Sequence, residues 1–225
     1  DSQCKSVNFT FGENSKSHSN PNLSVIINFP SPNFYHTPKK TILFNNEPTL
    51  FTPNDYSKGP KNICPEYFSN IYPHKFLKVE GPRGNSLGLV QWMFDIDPTT
   101  FKTLSFTKTK NVSCIVSNKN FDEGHIQRRR FVREYGSKLN LDVFGRCHEL
   151  AFKGPLSDDE KWLGYAPYKY FIAVENNREN NYITEKLFEP ILCECLTFYS
   201  GAPNVSSFID PRCYIFIDPV NNGLE

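Results

Sequence analysis

The sequence predicts an α/β fold: a parallel sheet with helices on both faces. Two observations carry this. After Thr109, short apolar runs rich in β-branched and aromatic residues alternate with stretches of helical character. Such alternation is the mark of strands joined by helical crossovers. Polar residues close these runs, with Ser117, Asn118, Gly145, Glu175 and Asn176 at strand ends. Ligands of open parallel sheets bind at the carboxyl ends of the strands. The 225 residues suffice for one large domain or two small ones.

The elements follow in order. Residues 5–24 are polar and rich in Asn and Ser, and 23–29 reads as a short buried strand closed by Pro30-Ser31-Pro32. Residues 41–44 form a second strand, ending at Asn45-Asn46-Glu47-Pro48. Turn signals crowd residues 52–66, with Pro53, Gly59, Pro60 and Pro65. The glycine-bearing loop at 81–88 matches neither a Walker A nor a G-x-G-x-x-G pattern and receives no phosphate role. Residues 112–117 are a β-branched strand, 127–139 a basic helix, and 141–145 a strand with a glycine stop. A brief helical or loop piece at 158–161 precedes strands at 170–174, 196–199 and 214–217. Between the first two of these, 183–196 reads as a helix, with Ile183, Leu187, Ile191 and Cys195 recurring every four residues. Pro190 lies inside it and predicts a kink or a broken first turn, at a cost of about 3 kcal/mol for an interior proline. The boundary falls near 105–110, dividing the chain into 1–108 and 109–225.

Composition excludes several classes of function. The balance of 25 Lys+Arg against 24 Asp+Glu provides no global field for nucleic acid. No apolar run approaches the length of a membrane span. The chain opens on Asp1 rather than Met, with no signal-like segment, so an anchor outside this chain stays open. Seven cysteines lack C-x-x-C pairs, which disfavours zinc; buried free thiols are expected, with one or two disulfides as the alternative. His18, His36, His74, His125 and His148 are dispersed, with no metal-binding pair, and no G-x-S-x-G is present. Sequons begin at Asn8, Asn22, Asn111 and Asn204.

Three groups carry candidate chemistry. The strand ending in Glu175-Asn176 leads through a polar loop to Tyr182-Ile183-Thr184-Glu185-Lys186, which opens a helix. An acid and a lysine at a helix N-terminus suit a departing anion, since free amides and the helix dipole favour negative charge there. An ordinary amphipathic helix with solvated charges is the competing reading. Arg128-Arg129-Arg130 and Arg133 form a basic helix beside a strand end, from which at most one arginine is expected to reach a diphosphate. Glu47 at a strand end is a candidate general base. Asp95-Ile96-Asp97 is a D-x-D triplet of the kind that holds a divalent cation, or simply a loop.

These segments resemble a known family. The runs Y-K-Y-F-I-A-V-E-N-N at 168–177, N-Y-I-T-E-K-L-F at 181–188 and Y-S-G-A-P-N at 199–204 are similar in order and spacing to the signature of glycosyltransferase family 10, the α1,3/α1,4-fucosyltransferases. Upstream, Cys114 to Asn118, Arg128-x-x-Phe131-Val132 and Leu141 to Arg146 resemble further family segments, and Ile42 to Pro48 resembles the strand of the catalytic glutamate. The resemblance covers about half the chain. It implies a GT-B-like architecture, two Rossmann-like domains facing across a cleft, the N-terminal one short or truncated. Residues 1–108 would serve the acceptor and 109–225 the donor, GDP-fucose. Lys186 and Arg128 would meet the diphosphate, and Glu185 would hold fucose hydroxyls. Tyr182 and Asn176 would line the nucleotide pocket, Glu175 would brace it, and Glu47 would be the base of an inverting transfer to a glycan or glycoconjugate hydroxyl. No metal ligand is assigned, and a divalent ion is not expected to be essential. A Golgi-lumenal enzyme with its anchor outside this chain, or a cytoplasmic bacterial or viral one, is implied for the compartment. Pro190 and the run Cys195-Leu196-Thr197-Phe198 depart from the family pattern. An inactive or carbohydrate-binding relative, and a metal-dependent transferase using Asp95 and Asp97, are the alternatives.

Overall fold

A computed structural model of the chain describes residues 23–27, 40–44, 78–81, 98–120, 123–147, 150, 153–157 and 160–218. Glu47, Asp95 and Asp97 lie outside the described residues.

Two parallel sheets are present among them. The first has three strands in the order β1-β2-β3, with β1 at Ser24–Ile27, β2 at Thr41–Phe44 and β3 at Lys78–Glu80. Strand β2 is the middle one, and its last residue precedes Glu47 by three positions. Strand β3 has no counterpart in the sequence reading, because Lys-Val-Glu offers a single apolar residue to any periodicity. A one-turn helix, α1, spans Pro98–Phe101.

The second sheet is the larger. Its strands are β4 (Lys110–Ile115), β5 (Asp142–Phe144), β6 (Tyr168–Val174), β7 (Leu196–Ser200) and β8 (Tyr214–Phe216). They run parallel in the order β5-β4-β6-β7-β8. The order reverses direction between β4 and β6, and in open α/β sheets this switch point is where ligands are held.

The two faces carry separate cores. Phe171 and Ala173 of β6 pack with Leu187 of helix α3 (Glu185–Leu192), Tyr165 and Tyr199. Ile172 and Val174, the alternate residues of the same strand, pack with Phe131 and Val132 of helix α2 (Glu123–Tyr135) and with Val143. A strand covered on both faces carries apolar residues at consecutive positions, and this is how Phe171 to Val174 reads. Helices therefore do cover both faces, as the alternation predicted.

The helix boundaries differ from the sequence reading. Helix α2 begins and ends four residues earlier than the predicted 127–139. Helix α3 occupies only Glu185–Leu192 of the predicted 183–196. Thr184 caps its start, while Glu194 adopts a left-handed φ of 60° just past its end. Ile183 and Cys195 are buried as predicted but from outside the helix. Pro190 is the sixth helical residue, and the helix runs only two positions beyond it, so the missing amide falls in the last turn rather than breaking the first. The described cysteines are free; Cys114, Cys147, Cys193 and Cys195 are buried, and burial pushes the Cys114 and Cys193 thiols up to about 12. No helix among the described residues is long and apolar enough to cross a membrane.

Candidate functional site

Glu175 follows β6 directly and sits almost wholly buried, 1% exposed. Its amide donates to the Ser200 carbonyl at 2.8 Å, extending the β6–β7 ladder by one residue. Its Oε1 accepts from the Thr184 amide at 2.9 Å, and the Thr184 hydroxyl donates to the same carboxylate at 2.8 Å from Oε2. Thr184 is also the N-cap of α3, its Oγ1 accepting from the Lys186 amide at 3.3 Å. An acid at the sheet edge thus fixes the first turn of the helix.

The Lys186 ammonium lies inside a ring of oxygens: Thr184 Oγ1 at 3.0 Å, Glu185 Oε1 at 3.2 Å and Glu175 Oε2 at 3.4 Å. Burial opposes its charge, but the Glu175 and Glu185 carboxylates outweigh burial and raise its pKa. Burial raises the Glu175 pKa in spite of the lysine and Thr184. Glu185 goes the other way. Burial works against its charge, yet the Lys186 and Lys161 ammonium groups outweigh it and hold the carboxyl at about 2.

Arg128 occupies the switch point. It is 5% exposed, and its guanidinium donates to Asn176 Oδ1 at 3.1 Å, to Ser117 Oγ at 3.1 Å and to the Val174 carbonyl at 3.4 Å. It thereby ties the end of β4 to the end of β6. Arg130 and Arg133 of the same run are exposed. Gly124, in the first turn of α2, lets the helix abut the Asn176 carbonyl, where any Cβ would overlap that oxygen.

A cavity of about 250 Å3 opens between the start of α2 and the ends of β6 and β7. Glu123, Gly124, Gln127, Asn177, Arg178 and Ser200 line it together with Val174 and Glu175. The Ser200 hydroxyl is buried without a hydrogen-bond partner among the described residues. Arg178 bonds Asp218 at 2.9 Å and lies over the Phe216 ring at 5.7 Å, closing the β8 side.

The structure brings Arg128, Glu175, Asn176, Glu185 and Lys186 together at one end of the sheet. Tyr182, two positions ahead of the Thr184 cap, is 3% exposed, so its ring presents no face to solvent. Lys161 and Glu189, which join this charged cluster, carry no sequence motif that marks them. Thr184 could have been, as a capping residue just ahead of a periodic run. Among the described residues, no group of three or more His, Cys, Asp or Glu side chains is arranged to hold a metal ion.

A doubly wound parallel sheet with buried cations at its carboxyl edge is an α/β architecture that holds ligands at its strand ends. Comparison with known proteins narrows this class. The profile described as Glycosyltransferase family 10 (fucosyltransferase) C-term matches residues 105–222, and the chain belongs to that family. A 3-galactosyl-N-acetylglucosaminide 4-alpha-L-fucosyltransferase of Bos taurus is 31% identical over 114 residues, 49% of this chain and 29% of that protein. A GDP-fucose protein O-fucosyltransferase 3 of Danio rerio is 29% identical over 100 residues, 41% of this chain and 22% of that protein. Alpha-(1,3)-fucosyltransferase 7 of Rattus norvegicus is 29% identical over 121 residues, 52% and 31% of the two. The chain thus spans less than a third of the length of each relative. A crystal structure of an alpha1,3-fucosyltransferase with GDP superposes at a TM-score of 0.50 and 15% identity, covering 89% of this chain and 63% of that one. A second alpha1,3-fucosyltransferase structure gives 0.50 and 13%, covering 91% and 64%. The fold is the mixed α/β, GT-B-like type of those structures.

Proposed function

We propose that this chain belongs to an inverting fucosyltransferase, with residues 109–225 binding GDP-fucose and residues 1–108 facing the acceptor. The observation that supports this most is the Glu185–Lys186 pair at the start of α3, braced on buried Glu175 and set beside Arg128 at the switch point. A departing diphosphate gathers negative charge, and cations held in place before the reaction stabilise it without reorganising. Lys186 keeps 21% of its side chain open to a ligand. Arg128 acts there chiefly by its charge and by fixing Asn176, since its guanidinium is spent on protein acceptors. Glu185, ionised and pinned at Oε1, is suited to accept a hydrogen bond from a sugar hydroxyl.

In the proposed step a glycan hydroxyl attacks C1 of β-linked fucose as the bond from C1 to the β-phosphate oxygen breaks. The hydroxyl proton passes to the Glu47 carboxylate, the bonding pair leaves with GDP, and the product linkage is α, of the α1,3 type. The positive charge of Lys186 and Arg128 meets the leaving group in place of a required divalent ion.

A thermal-shift panel of GDP, UDP, CMP and their sugars tests this reading. Ligands that bind the native state raise its melting temperature by mass action. GDP and GDP-fucose should raise it in the wild type and not in Lys186→Ala. A shift with UDP but not GDP would overturn the donor assignment.

A further inference from the structure

The charged cluster continues past the donor pair. Lys161 opens a short 3-10 helix, Lys161–Gly164, in the crossover from β5 to β6. Its Nζ lies 2.8 Å from Glu189 Oε2 and 3.8 Å from Glu185 Oε1, with 17% of the side chain exposed. Lys186 reaches the same Glu185 oxygen from the opposite side of the sequence, at 3.2 Å. Glu189 is 2% exposed, and its Oε2 also accepts from the Tyr165 hydroxyl at 2.8 Å. Its Oε1 is buried without a partner among the described residues.

The backbone under Lys161 is firmly seated. The Ser113 hydroxyl of β4 donates to the Gly164 carbonyl at 2.6 Å. Gly164 packs so closely on Ile115 and Leu156 that a Cβ would stand 3.0 Å from the first and 3.2 Å from the second. Tyr165 stacks edge-on against Phe171, with centroids 4.8 Å apart. The ammonium is therefore delivered to a fixed point by the sheet itself.

A buried Lys–Glu pair is a poor source of stability, because desolvation offsets most of its attraction. The geometry points to a different use. We propose that Lys161, held in place by Glu189 and Tyr165, is a positioning residue that orients the Glu185 carboxylate toward the donor sugar. The proposal rests on the donor-site reading above and adds to it a residue outside the signature segments. Because Glu185 would face the sugar and Lys186 the diphosphate, losing Lys161 should harm the handling of fucose and spare that of GDP.

The alternative is that Lys161 merely neutralises buried Glu189. Removing both charges separates the two. Lys161→Met alone should lower the melting temperature and cut kcat about 10-fold or more, the scale of a misaligned reacting group. Lys161→Met/Glu189→Gln, which keeps an oxygen for Tyr165, should regain the melting temperature. Its kcat should remain about 10-fold down, with GDP affinity by calorimetry unchanged and the affinity advantage of GDP-fucose over GDP reduced. Lys161→Arg should recover most of the loss. A double variant with wild-type kcat and an unchanged GDP-fucose to GDP ratio would overturn the role of Lys161 while leaving the donor site intact. A wild-type protein that binds no GDP would sink the donor-site reading itself, and this proposal with it.

Discussion

Asn181 and Asn204 hold one another through two reciprocal hydrogen bonds. The Asn181 amide donates to Asn204 Oδ1 at 2.9 Å, and Asn204 Nδ2 donates to Asn181 Oδ1 at 2.9 Å. Asn181 takes a left-handed φ of 69°, which asparagine tolerates better than most residues, and the turn it makes leads straight into Tyr182. The loop after β7 thereby fixes the loop after β6. Asn204→Ala should cost about 1–3 kcal/mol, the penalty for leaving a buried amide unpaired, and should weaken GDP binding. Urea unfolding and calorimetry would check both; unaltered GDP affinity would show that the clamp does not shape the site.

Gly124→Ala should disable the site without touching a charge. The added methyl overlaps the Asn176 carbonyl oxygen, so α2 must back away from the end of β6 and take Arg128 with it. The expected result is a lower melting temperature together with loss of the GDP-induced shift. A variant with wild-type behaviour in both assays would show that the close approach is dispensable.

Lys186→Met strips Glu175 of its cation. A buried pair broken on one side typically costs about 3–5 kcal/mol. Adding Glu175→Gln should restore much of that stability, since a neutral amide can still accept from Thr184. GDP binding should stay lost in the double variant. Recovery of binding would assign the diphosphate to another group.

Stability should fall in acid partly through Glu185. Its carboxyl titrates at about 2 in the folded protein, against roughly 4.3 for an unfolded glutamate. The native state binds fewer protons in that interval, so this contribution is complete above the unfolded value and is lost as pH drops through the folded one. Glu175 and Glu189, raised by burial, act with the opposite sign: their contribution is greatest in acid and disappears as pH climbs through their folded values. Urea midpoints from pH 6 to pH 2.5 should decline less steeply in Glu185→Gln than in wild type. Parallel profiles would mean that Glu185 is not held ionised by its two lysines.

Transfer should survive chelation. Asp97→Ala and excess EDTA are each expected to leave residual activity if, as proposed, Lys186 and Arg128 provide the positive charge at the leaving group. Abolition of activity by both treatments would favour the alternative in which Asp95 and Asp97 hold a required cation.

The five-stranded sheet was legible because its strands centre on short apolar runs, most of them with a polar stop. Glu175-Asn176 marked the end of β6 from composition alone, and residues 181–188 placed the acid and lysine on the following turn. Helix limits were less legible. The four-residue periodicity ran through Ile183 and Cys195, which are buried by the loop and the turn flanking α3 rather than by the helix. Burial leaves the same apolar signature in either case. Lys161 and Glu189 could not be read at all, since their meeting depends on how the β5–β6 crossover folds under the sheet. The family resemblance assigns Arg128 to a diphosphate, but its bonds to Ser117, Val174 and Asn176 depend on how β4, α2 and β6 meet and could not be read from the sequence.

Strand order has a consequence for how the protein is made. One pairing, β4 with β6, joins strands that are not consecutive, with Lys110 paired to Tyr168 fifty-eight positions later, so the sheet cannot be completed from neighbouring segments alone. Loop closure on this scale delays assembly and slows it relative to locally connected folds. Every group at the switch point waits for that event, and a nascent chain halted before β6 lacks the proposed donor site. Once β6 docks, any ligand held at the switch point would deepen the native basin and act as a folding aid.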